Sequence, residues 1–152
     1  MSATRVLAAG AALLLILGLG PTAAAPPRGT AERGVRKTLM RLNDRLARRD
    51  MALLDDFARG EDTLMVGSEV GEVARGRAGI EARLKQIFEQ AETLAFSWRE
   101  VEVAVHGHVA FLHAEGEAVI GAERRPYRLT GVLQLHDGLW RWRLFHGSEP
   151  HG

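Results

Sequence analysis

The sequence predicts an α+β domain in which helices come first and a curved antiparallel sheet comes last. Apolar residues recur at helical spacing through the first part of the chain. From Thr93 the period falls to two, and turn residues at His106-Gly107, Gly121-Ala122 and Asp137-Gly138 divide the rest into strands. In the first of these strands the apolar phase is even at Leu94, Phe96 and Trp98 but odd at Val101, Val103 and Val105. That switch predicts a β-bulge near Arg99-Glu100, and a bulge bends a sheet strongly.

The 152 residues, 46% hydrophobic and 26% charged, suit one domain with a real core. A formal charge of +1 argues against a nucleic-acid partner, whose backbone selects basic proteins. With no cysteine, disulfides, thiolate metal sites and thiol redox chemistry are excluded. Arg5, the apolar run 6–20 and the small residues Thr22-Ala23-Ala24 read as a signal peptide over 1–24, with the mature chain starting at Ala25. Export to the periplasm or exterior is the expectation, with no membrane span after cleavage. The alternative is an uncleaved anchor, although the run falls short of the ~20 apolar residues that span a bilayer.

Residues 25–29 form a Pro-containing spacer ahead of a domain over 30–150. Thr30 is expected to cap a helix reaching about Arg49, with Val35, Leu39, Leu42 and Leu46 as its buried stripe and a basic outer surface. Asp50 is expected to cap a second, short helix that points Leu53, Leu54 and Phe57 inward and ends at Gly60. A strand over 63–66, a turn over 68–71 and a return strand over 72–74 follow. A third helix starts near Ala78 and buries Ile80, Leu84, Ile87, Phe88 and Ala91. Four strands complete the chain at about 93–105, 109–120, 125–136 and 139–146. The second of these is apolar on both faces, with Val109 and Phe111 on one and Ala110, Leu112 and Ala114 on the other, so a homodimer through the sheet is expected to cover the outer face.

The segments Tyr127-Arg128-Leu129-Thr130, His136-Asp137-Gly138-Leu139-Trp140-Arg141-Trp142 and His146-Gly147-Ser148-Glu149-Pro150, with Gly76 and Ile80 opening the third helix, resemble the SnoaL-like branch of the nuclear transport factor 2-like superfamily. They are also similar to the association domain of calcium/calmodulin-dependent kinases. The resemblance covers roughly residues 33–150. It implies a cone of three N-terminal helices packed on a strongly curved antiparallel sheet, with a pocket between them and usually a homodimer. Because this superfold hosts isomerases, dehydratases, cyclases and pure binding modules, it implies no single activity.

In the last strand Trp140, Trp142, Leu144, His146 and Ser148 share one parity, and alternation sends them inward. His146 is therefore the candidate polar anchor or proton shuttle, with Trp142, Trp98 and Phe111 as pocket walls. The resemblance offers Arg128 and Thr130 as further ligand-binding residues, whereas alternation with Leu129, Leu133 and Leu135 sends both to the opposite face. Ser148 and Tyr127 are possible hydrogen-bond donors, and Asp55 or Asp56 is a carboxylate within reach of the rim. The leading function is binding of a small, largely apolar molecule. One alternative is a lyase or isomerase with His146 as general base and an Asp or Arg128 orienting the substrate; another is a dimerisation module with a filled pocket. No cofactor is expected, since no glycine-rich phosphate loop follows a strand and His106 with His108 lack a third metal ligand.

Overall fold

The computed structural model describes residues 24–150. The expected signal sequence lies outside the described residues except for Ala24. Helix α1 (Arg28–Ala47) starts behind Pro27, two residues before the expected Thr30 cap. Proline has no amide hydrogen to satisfy and its fixed φ suits a helix entry. Thr30 instead lies in the first turn, where its hydroxyl accepts from Arg33. Ala31, Val35, Leu39, Leu42 and Leu46 are buried as one stripe.

Asp50 caps the next element, accepting the Ala52 amide at 2.9 Å, but that element is a 3-10 helix over Met51–Asp56. Leu53, Leu54 and Phe57 point into the core. Strands β1 (Leu64–Val66) and β2 (Val73–Arg75) form a short hairpin, and helix α2 (Gly76–Phe88) follows directly. Ile80 and Leu84 are fully buried, Ile87 and Phe88 are half-buried, and Ala91 is exposed beyond the helix end, contrary to the expected stripe.

The remaining strands are β3 (Leu94–His106), β4 (Val109–Ile120), β5 (Glu123–His136) and β6 (Leu139–Ser148). All belong to one curved six-stranded sheet in the order β2-β1-β6-β5-β4-β3, antiparallel except where β1 runs parallel to β6. The helices cover its inner face. Ala110, Leu112, Ala114, Leu129, Leu133, Trp140, Trp142 and Phe145 project from that face into a single apolar core.

Two bulges shape the sheet. In β3 the register steps over Arg99, where the sequence places it. The other leaves Arg143 unpaired in β6, because Val132 faces Leu144 while Leu133 faces Trp142. This inverts the side-chain alternation for the rest of β6.

Several basic side chains of α1 and of the turn after it tie to the rest of the fold. Arg36 donates to the Val101 carbonyl, Arg49 to the carbonyls of Gln90 and Ala91, and Arg41 and Arg45 grip the buried carboxylate of Asp56. Among the described residues no helix is long and apolar enough to cross a membrane.

Candidate functional site

Where β3 and β5 begin and β4 and β6 end, the sheet and helices separate around a cavity of about 230 Å³. Antiparallel pairing brings these four strand ends to one side of the molecule. Helix α1 supplies Leu42 and Leu46 to the cavity, α2 supplies Ile87, and β1 supplies Met65. The strands add Leu94, Phe96, Ala118, Ile120 and Phe145. Most of the wall is therefore hydrocarbon, as in sites that bury small organic molecules.

One corner is polar. Tyr127 enters from β5, Glu149 from the residue after β6, Arg83 from α2, and Glu69 and Glu72 from the loop joining β1 to β2. Arg83 forms an ion pair with one oxygen of Glu72, and the other oxygen accepts the Glu69 amide at 3.3 Å. Both oxygens of Glu72 are thus committed. Among the described residues Glu149 pairs only with Arg125, at 3.8 Å.

The Tyr127 ring is clamped by Phe96, with centroids 4.8 Å apart, and Phe96 stacks on Trp98 at 5.0 Å. Burial pushes the Tyr127 phenol up to about 12, and the negative charges of Glu149 and Glu72 add to that effect against Arg83. It is a neutral hydrogen-bond donor at physiological pH. Among the described residues its hydroxyl makes no hydrogen bond, leaving it available to a molecule in the cavity.

The structure places the residues expected from the sequence elsewhere. His146 is exposed on the outer face of the sheet, because the Arg143 bulge turns Phe145 and Gly147 inward in its place. Arg128 and Thr130 are also on the outer face, as alternation requires, and Arg128 pairs with Glu115 at 3.1 Å. Ser148 lies opposite Arg128, and Thr130 opposite His146, so these four gather outside the sheet and not in the cavity. Phe111 is on that face as well, 52% exposed. Trp142 does face inward but is wholly buried in the core beside Phe145, at 5.7 Å. Trp98 backs Phe96 and lines a separate groove against α1.

Neither aspartate reaches the rim: Asp55 pairs with Arg77 on the surface and Asp56 is held under α1. No histidine lines the cavity among the described residues, and none of their His, Asp and Glu side chains form a metal-binding group of three.

Sequence reasoning passed over Glu69, Glu72, Arg83 and Glu149. Tyr127 is one of the two hydrogen-bond donors that the sequence offers, and it shares parity with the buried Leu129 and Leu133. The others come from three separate segments that no local pattern connects.

A family model described as the SnoaL-like domain matches residues 35–151. The chain belongs to the SnoaL-like family. Solved structures similar to this SnoaL-like chain include an NTF2-like protein of unknown function from Pseudomonas putida, 18% identical with a TM-score of 0.72, covering 82% of this chain and 89% of that one. Another is a proposed dehydratase of the NTF2-like family from Streptomyces avermitilis, 17% identical with a TM-score of 0.74, covering 83% and 100% of the respective chains. An NTF2-like superfamily protein from Salmonella enterica is 15% identical with a TM-score of 0.71, covering 83% and 95%. At such identities the likeness establishes the cone-shaped fold alone. No curated protein matches the chain.

Proposed function

We propose that this SnoaL-like domain binds a small, largely apolar molecule in the cavity between α1, α2 and the inner sheet face, with Tyr127 as the hydrogen-bonding anchor. The observation that carries this reading is the unpartnered Tyr127 hydroxyl in the one polar corner of an otherwise hydrocarbon-walled cavity of about 230 Å³. A module with a filled pocket fits less well. Trp140 and Trp142 fill the core, yet the space bounded by Leu46, Phe96 and Phe145 stays open. Chemistry through a pocket histidine is less well supported, since no histidine lines the cavity among the described residues and His146 is on the opposite face.

The expected route is export, supported by Arg5 and the apolar run 6–20. The expected assembly is a homodimer through the outer face of the sheet. Its support is the apolar row Phe111, Val132, Leu144 and Leu64, which lie side by side across four strands.

The test is a thermal-shift and fluorescence titration of the full chain with small apolar molecules carrying one polar end, repeated on Ile120→Trp, whose added ring occupies the cavity. Binding by the wild type that the substitution abolishes is the expected result. Absence of any ligand-induced shift, or binding that survives Ile120→Trp, overturns the reading.

A further inference from the structure

The polar corner is unevenly charged. Three carboxylates, Glu69, Glu72 and Glu149, line the cavity against one guanidinium, that of Arg83. The positive charge of Arg83 is already matched by Glu72, whose second oxygen is held by the Glu69 amide. What remain are the carboxylates of Glu69, which is exposed, and of Glu149, which is half-buried and in touch with an exposed Arg125 only at 3.8 Å. A further cation to receive an anionic ligand is missing among the described lining residues. Burying a ligand carboxylate beside Glu149 would put like charges together in a partly desolvated site.

We infer that the cavity selects cations, taking a small aromatic or aliphatic amine whose ammonium sits between Glu149 and the oxygen of Tyr127 while its hydrocarbon fills the apolar end. The ammonium donates to the Glu149 carboxylate and to the Tyr127 oxygen, and both acceptors lack a close partner of their own among the described residues. Phe96 and Tyr127, with ring centroids 4.8 Å apart, both line the same cavity, and a cation held over either ring gains attraction from its quadrupole. The negative field of Glu149 and Glu72 that helps keep the Tyr127 phenol protonated also attracts a ligand cation. This inference rests on the small-molecule reading of the same cavity and adds the charge of what it takes.

The test compares three probes with the same aromatic body, 2-phenylethylamine, 2-phenylethanol and phenylacetate, titrated into the full chain by calorimetry and by thermal shift. The amine is expected to bind roughly tenfold more tightly than the alcohol at low salt, with phenylacetate weakest. The gap should narrow as salt is raised. Glu149→Gln is expected to bring the amine down to the affinity of the alcohol and leave the alcohol unchanged, whereas Glu100→Gln, an exposed position away from the cavity, leaves all three unchanged. Alcohol or phenylacetate binding as tightly as the amine overturns the charge preference while the cavity reading stands. If none of the three binds, both fall.

Discussion

The phenol oxygen of Tyr127 occupies the space directly over Gly147 on the neighbouring strand, where any β-carbon would overlap it. Gly147 faces inward because of the Arg143 bulge, so a single extra residue in β6 makes room for the phenol of Tyr127 at the cavity. Gly147→Ala is therefore expected to push the Tyr127 ring aside and cost about 1–3 kcal/mol through overpacking. Urea denaturation gives the loss of stability. A Tyr127 titration midpoint falling back toward the ordinary tyrosine range would mark the ring's displacement.

Tyr127 is the only tyrosine in the chain, so tyrosinate absorbance reports on it alone. Its folded-state value, about 12 against an ordinary 10.0, is raised mainly by burial. A raised value means that the folded state holds the proton more tightly than the unfolded one. Stability is therefore unaffected by this group below pH 10 and falls as pH rises from 10 towards 12. The unfolding midpoint across that window should drop more steeply for the wild type than for Tyr127→Phe. Parallel curves would remove Tyr127 from the buried corner.

Asp56 is 5% exposed and accepts from Arg41 and Arg45 at 2.9 and 2.8 Å, joining α1 to the 3-10 helix. Removing the carboxylate leaves two partly buried guanidinium groups without their counter-charge, held only by the Thr38 hydroxyl and the Ala52 carbonyl. Asp56→Ala is expected to cost about 3 kcal/mol, and Asp55→Ala, on an exposed pair, no more than about 0.5 kcal/mol. Equal effects in chemical denaturation would contradict a structural role specific to Asp56.

Gly34 of α1 packs against the indole of Trp140, with a β-carbon built at Gly34 lying 2.6 Å from the ring. Gly34→Val should force the helix away from β6 and lower the melting temperature by several degrees, for a cost of about 1–3 kcal/mol. Gly34→Val with an unchanged melting temperature would mean that helix and sheet are not in close contact there.

On the outer face, Phe111 is the most exposed member of the apolar row crossing β4, β5, β6 and β1. Phe111→Lys is expected to convert a dimer to a monomer in light scattering at micromolar concentration and to leave far-ultraviolet dichroism unchanged. A wild type that is already monomeric at that concentration rules out the interface.

Local patterning determined much of this molecule. The 3.6-residue stripe of α1, the cap at Asp50, the three hairpin turns and the β3 bulge are all readable from neighbouring residues, since each depends on interactions spanning only a few positions. The β3 bulge announces itself because Trp98 and Val101 are both apolar on opposite parities. Its counterpart in β6 is concealed: Leu144 continues the apolar parity of Trp140 and Trp142 although it lies on the outer face, and only Phe145 hints at the switch. Whether β6 bulges at Arg143 is decided by its pairing with β5, and that pairing alone moved His146 out of the site and Gly147 into it. The cavity corner was likewise decided only in three dimensions. Glu72, Arg83, Tyr127 and Glu149 lie on separate elements, and their charges acquire meaning only when antiparallel pairing brings the strand ends, α2 and the hairpin loop to one side. A sequence records which residues repeat with the period of a helix or strand; which distant side chains then share a low-dielectric space depends on register and packing.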